Sequence, residues 1–275
     1  MTQLLALTGA AFYGLADFAG GLATRSTSAW RVTAWSQLIG VPLLIIAVAL
    51  AGASSASTAD IALGTAAGAL GLIGIVLMYT ALAAGEMSIV APIIGAVAAS
   101  VPVAWDVATG GSIGRIQWVG IVASVIAVLL LAAKPSSGKA HLGPTVKAIG
   151  AGLSFALFYI AMSYTSEASG LWPLVAARSV TVPVAFVIAF GLGVARAPER
   201  TIMPLVAFTG AADMAANLAI VTAVQRGPLG VNAVLSSLYP AVTVLAAFVV
   251  LKEYPTRIQR VGIVLAVGAA LLLAV

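Results

Sequence analysis

Three ionisable side chains fall inside long apolar runs, where they are expensive to place. Asp213 has twelve uncharged residues on each side, and Asn217 lies four positions on, sharing its helical face. Asp17 sits within Gly14-Leu15-Ala16-Asp17-Phe18-Ala19-Gly20-Gly21, and no charged residue precedes it. A charged aspartate at mid-bilayer costs at least ~2.5 to 3.5 kcal/mol, so each should face the protein interior or water. There it can carry a proton, bind a substrate amine, or serve as the permanent partner of a buried arginine. Arg178 is the candidate for that partner; otherwise it snorkels to the interface or holds an anionic group. Asn232, Ser236 and Tyr239 follow at spacings of four and three, a polar stripe that ends at Pro240. Such a stripe serves either as a cavity wall or as interhelical hydrogen bonding.

Other chemistry has little to work with. The chain has no cysteine, which removes thiolate metal sites, disulfides and cysteine nucleophiles. Its one histidine, His141, lies in the polar stretch Lys134-Pro135-Ser136-Ser137-Gly138-Lys139-Ala140-His141, expected to be a loop. Gly64 and Gly71, six residues between them, are not followed by Lys-Ser or Lys-Thr, so they form no phosphate-binding loop. No enzyme activity, cofactor or metal is therefore expected. Nor is a nucleic-acid partner, because the net charge of +5 includes no basic run interleaved with aromatics.

The elements that must hold these residues follow from composition. Of 275 residues, 62% are hydrophobic and only 8% are charged, with a mean hydropathy of +1.14. A soluble surface needs roughly a quarter or more of its residues charged, so soluble and disordered classes are excluded. A helix needs about 20 apolar residues to cross ~30 Å of hydrocarbon, and the chain has room for ten such crossings. Charges and Gly/Ser/Pro clusters bound them at about 4–23, 31–51, 60–83, 88–108, 115–133, 145–166, 172–195, 201–224, 229–250 and 257–275. Strict alternation over successive strands is missing, which excludes a β-barrel. The expected class is an all-α polytopic membrane protein with the lipid bilayer as its solvent.

An internal repeat organises the spans. At an offset of 142 residues, Arg115-Ile116-Gln117 and Val119-Gly120-Ile121-Val122 match Arg257-Ile258-Gln259 and Val261-Gly262-Ile263-Val264. The same offset places Trp30 on Trp172, Thr80-Ala81 on Thr222-Ala223, and Gly85 on Gly227. Residues 1–133 and 145–275 are then two five-helix repeats, joined by a loop at 134–144. Five is odd, so the second repeat enters the bilayer from the opposite side, the inverted arrangement that underlies alternating access. Pro92, Pro102, Pro183 and Pro240 interrupt spans four, seven and nine, freeing carbonyls that need neighbours or cavity water. Gly64 and Gly68, followed by Gly71 and Gly74, are expected to be packing surfaces.

Several segments resemble the drug/metabolite transporter superfamily, in particular its ten-helix EamA-type members. They are Tyr79-Thr80-Ala81-Leu82-Ala83-Ala84-Gly85 and Ala91-Pro92-Ile93-Ile94 in the first half, and Ala223-Val224-Gln225-Arg226-Gly227 and Leu238-Tyr239-Pro240 in the second. Leu251-Lys252-Glu253 and Arg257-Ile258-Gln259-Arg260-Val261-Gly262 complete the set. The family places an acid just before the last helix of each half; Glu253 matches it, whereas the first half has Gly111. The resemblance implies a secondary transporter for export or exchange of small metabolites with amino acids among them, working as a monomer or weak homodimer. It also implies a bacterial cytoplasmic (inner) membrane location and a central cavity from spans one, three, four, six, eight and nine. Those spans carry Asp17, Tyr79, Pro92, Tyr159, Asp213, Asn217 and Tyr239. Proton coupling would run through the buried acids.

Orientation has two opposed indicators. Ten Lys and Arg residues follow the odd-numbered spans and two follow the even-numbered ones, which by the positive-inside rule puts both termini outside. The resemblance implies cytoplasmic termini, and we follow it with the charge count standing against it. The competing functions are a membrane-embedded enzyme acting on lipids, which would want convergent acids or a metal near the headgroups, and a channel or scaffold, which needs polar lining without alternating exposure.

Overall fold

A computed structural model describes residues 2–52, 54–110, 114–132, 142–226 and 239–273. Among them are ten α-helices: α1 (Thr2–Thr24), α2 (Ala29–Ala51), α3 (Thr58–Ala84), α4 (Met87–Ala108), α5 (Arg115–Ala132), α6 (Leu142–Ser163), α7 (Trp172–Gly191), α8 (Met203–Arg226), α9 (Tyr239–Ala246) and α10 (Arg257–Leu273). A π-helical turn, Ala247–Leu251, extends α9. Five of these, α2, α3, α6, α7 and the Met203–Ile220 part of α8, are by themselves long and apolar enough to cross a bilayer. Of the predicted ninth span, Asn232 and Ser236 lie outside the described residues, as do His141 and Gly111.

The surface is apolar and the interior holds the polar groups. Leu50, Phe190, Val249 and Val264 point outward, while Asp17, Gln37, Arg178 and Asn217 are buried. Water would reverse this distribution; hydrocarbon requires it, and the chain is an integral membrane protein.

Helix ends are set by side chains that satisfy the first free N–H groups. Ser57 and Asp60 form a reciprocal capping box at the start of α3. Thr256 and Gln259 form another at α10: the Thr256 N–H donates to Gln259 Oε1 at 2.9 Å, and the Gln259 N–H donates to Thr256 Oγ1 at 3.3 Å. The Arg-Ile-Gln sequence found by repetition is thus the first turn of a capped helix, with Thr256 as the N-cap and Gln259 as its reciprocal partner.

Two predicted C-terminal ends move by three residues or more. Span seven, expected to reach residue 195, stops at Gly191 because Gly193 adopts φ +70° and turns the chain back. The Val194 N–H then donates to Ala189 O at 2.8 Å, and the carbonyls of Val194 and Ala195 accept from Arg31 Nε and Trp35 Nε1. Apolar Val194 and Ala195 hid this turn from a hydropathy argument. Span six stops at Ser163 rather than 166, and the Ser166 N–H goes to Asp60 Oδ1 at 2.7 Å. Pro42, within α2, joins the prolines that interrupt helices.

Packing follows close approaches at glycine. Besides α1 on α8 and α3 on α6, α2 lies against α7 and α8, α3 against α7, α4 against α6 and α10, α5 against α10, and α9 against α1 and α4. A methyl group at Gly64 or Gly68 would collide with the backbone of Pro173 or Ala177, so these glycines let α3 touch α7. Gly71 and Gly74 instead receive the rings of Phe158 and Phe155 from α6. With no hydrophobic force between helices in lipid, such contacts supply the van der Waals attraction that holds the bundle.

Candidate substrate cavity

A cavity of about 70 Å³ lies among α1, α2, α3, α6, α7, α8 and the start of α9. It has room for about five waters at roughly 10 to 15 Å³ each.

The glycine contacts place its polar residues. A side chain at Gly210 would strike the Ser36 backbone, and one at Gly40 would come within 3.0 Å of the Gly210 carbonyl. This crossing of α2 and α8 sets Gln37 beside Asp213, three positions along from each glycine. The Gly68–Ala177 contact likewise delivers Arg178, the next residue of α7, to the cavity. On α9, the Thr243 hydroxyl donates to the Gly14 carbonyl at 3.0 Å and the Pro240 ring fills the space left by Gly95. Tyr239 is thereby held against α1, its ring edge-on to Tyr13 with centroids 6.2 Å apart.

Asp213 is the centre of the polar network. Arg178 Nη2 donates to its Oδ2 at 2.5 Å, and Gln37 Nε2 approaches the same oxygen at 3.5 Å. Asn217 Nδ2 donates to the Asp213 backbone carbonyl at 2.8 Å, one helical turn back. Of the roles open to Arg178, the structure therefore takes the ion pair with Asp213. Asp17 also lines the cavity, but no donor among the described residues reaches its carboxylate. Tyr159, on α6, closes the opposite wall and packs edge-on against Phe158 at 5.4 Å.

Six of the residues named from sequence thus surround one space: Asp17, Tyr159, Arg178, Asp213, Asn217 and Tyr239. Tyr79 and Pro92 do not line it. Tyr79 is fully buried with its ring over Gly20, and Pro92 is buried within α4, which contributes no lining residue. The expected set of spans changes accordingly: α2 and α7 line the cavity, and α4 packs behind it. Gln37, Tyr13 and Phe155 were not singled out by sequence. Gln37 is uncharged and so does not stand out as the ionisable groups do, although an amide deep in an apolar run is itself a signal.

Away from the cavity, both ends of the bundle carry ties between the two halves of the chain. At one end Glu253, the acid expected before the last helix, accepts from Arg25 Nη2 at 3.2 Å and from the Ser88 N–H at 2.9 Å. It therefore joins the end of α1 to the first turn of α4. At the other end Asp60 accepts from Ser57 and from both the N–H and hydroxyl of Ser166.

Comparison with known proteins gives three findings. No curated protein matches the chain. A solved structure described only as a crystal structure of a protein is similar in fold, with a TM-score of 0.69 over 98% of this chain and 97% of its own, at 16% identity. The family described as the EamA-like transporter family matches at residues 1–133 and again at 145–275. With both matches spanning nearly all of this inside-out helical bundle, the chain belongs to the EamA-like transporter family and is an integral membrane transporter.

Proposed function

We propose that the chain is a secondary exporter of small amphipathic metabolites, amino acids among them, which rocks two inverted five-helix repeats about the cavity. The observation that carries this is the register of the cavity wall. Tyr13 and Phe155, Asp17 and Tyr159, Gly71 and Asp213, and Ile75 and Asn217 all line it, and the members of each pair are 142 positions apart. The repeat offset found in the α5 and α10 sequences therefore recurs in the wall itself. Gly68 and Gly210 obey it too, each receiving the backbone of the second helix of the opposite repeat.

Helix pairing supports the inverted relation. Exchanging each helix for its repeat counterpart turns α1 on α8 into α6 on α3, and α2 on α8 into α7 on α3, and all four contacts occur. A site between two inverted repeats can open to either side by moving one repeat against the other. The chain is proposed to transport without chemical change to its cargo, in a bacterial inner membrane.

Vesicles reconstituted with the purified chain and loaded with labelled amino acids test this. Flux above that of empty vesicles is expected for a subset of them. No flux across a broad panel of amino acids would remove this substrate class.

A further inference from the structure

We propose that the cavity recognises the ammonium end of a small monocationic organic amine, with Asp17 as its anionic contact and the surrounding aromatic rings as its walls. The proposal rests on the cavity being the transporter's substrate site and adds the class of group that it holds.

The ionisable acids and bases that line the cavity among the described residues are Asp17, Asp213 and Arg178, two carboxyl groups against one guanidinium. Asp213 is not available to a ligand in the same way. One oxygen of its carboxylate, Oδ2, is engaged by Arg178 Nη2 and Gln37 Nε2, and the ion pair with Arg178 balances its charge, although Arg178 Nε has no partner among the described residues. Asp17 is 9% exposed, has no hydrogen-bond donor among the described residues, and borders the cavity. A carboxylate removed from water and left unpaired is costly, and a cation entering the cavity relieves that cost.

The rest of the wall suits an organic cation better than a hydrated metal ion. Tyr13 lies one turn before Asp17 on the same helix, with Tyr239 edge-on to it, and Phe155, Phe158 and Tyr159 come from α6. Ring faces attract an ammonium and tolerate its alkyl or aryl body, whereas hard metal cations want several oxygen ligands. No group of three or more carboxylates or histidines occurs among the described residues to offer those ligands. The repeat sharpens the asymmetry: the counterpart of Asp17 is Tyr159 and that of Asp213 is Gly71, so the wall holds one free acid rather than two. One acid matches one ammonium.

Calorimetric titration of the purified full chain in detergent with phenethylammonium tests this, with 2-phenylethanol and phenylacetate as neutral and anionic analogues of similar size. The amine is expected to bind at least tenfold more tightly than either analogue, Asp17→Asn to lose that preference, and Asp17→Glu to keep it. A preference below tenfold in the unaltered chain overturns the proposal, whether or not the variants fold. So does a preference retained in folded Asp17→Asn. Flux of amine-free metabolites without amine binding would remove this proposal and leave the transporter standing. Amine binding without flux of any amine or metabolite would do the reverse.

Discussion

Arg178 on α7 and Asp213 on α8 form a 2.5 Å ion pair at the cavity wall, with their side chains 9% and 14% exposed. Each half of the chain supplies one other member of the local network, because Gln37 comes from α2 and Asn217 from α8. A pair this buried stabilises little over an apolar replacement, but breaking it strands a charge. Arg178→Met or Asp213→Leu alone is therefore expected to cost about 3 to 5 kcal/mol, and the two together to recover most of it. Thermal unfolding of the four proteins in detergent measures the cycle; additive losses would show that the two residues are not coupled.

Close approach at glycine makes a second prediction. Gly210→Ala and Gly68→Ala place a methyl group against the backbones of Ser36 and Ala177, which cannot move as a side chain can. Each is expected to destabilise by roughly 1 to 3 kcal/mol through overpacking. Gly268, on α10, has open space where its side chain would be, so Gly268→Ala should stay within about 0.5 kcal/mol of the parent. Chemical denaturation in mixed micelles separates the two classes, and equal effects at Gly68 and Gly268 would contradict the α3–α7 contact.

Glu253 combines two jobs of different strength. Its bond from the Ser88 N–H satisfies an otherwise free donor at the start of α4, while its partner Arg25 is about a third exposed. Loss of a cap costs about 0.5 to 2 kcal/mol, and an exposed ion pair contributes at most about 1 kcal/mol. Glu253→Ala should therefore destabilise more than Arg25→Gln, and Glu253→Gln, which keeps an acceptor for Ser88, should resemble the arginine variant. Melting temperatures of the three variants provide the comparison.

Charge made the site legible and neutrality hid it. Asp17, Arg178 and Asp213 stand out in an apolar chain because hydrocarbon penalises them, so sequence located them without any knowledge of packing. It could not say which acid Arg178 would take, since that depends on how α7 and α8 approach in space. Tyr79 illustrates the opposite error. A tyrosine in the right span has a polar tip, but Gly20 provides a notch for its ring, and the residue is spent on packing. Helix existence followed from composition, whereas the end of α7 depended on one glycine at φ +70° amid apolar residues. The 142-residue offset was visible in Arg-Ile-Gln, yet only the cavity wall reveals that it also relates Asp17 to Tyr159.

The tie between Arg25 and Glu253 allows the proposed rocking to be tested directly. It joins the first repeat to the second at one end of the bundle, and Asp60 with Ser166 joins them at the other. Alternating access requires these ends to part in turn, whereas a pore requires neither to do so. The chain has no native cysteine, so Asn217→Cys gives a single reporter in the cavity without background. In vesicles, a membrane-impermeant thiol reagent should reach it from each side in separate experiments. A protein carrying Arg25→Cys and Glu253→Cys, cross-linked by a bifunctional reagent before Asn217→Cys is probed, should lose labelling from that end and keep it from the other. Flux should stop in the same sample, because a repeat that cannot part at one end cannot release its cargo there. Undiminished flux with the cross-link complete would mean that the two repeats do not rock about this cavity.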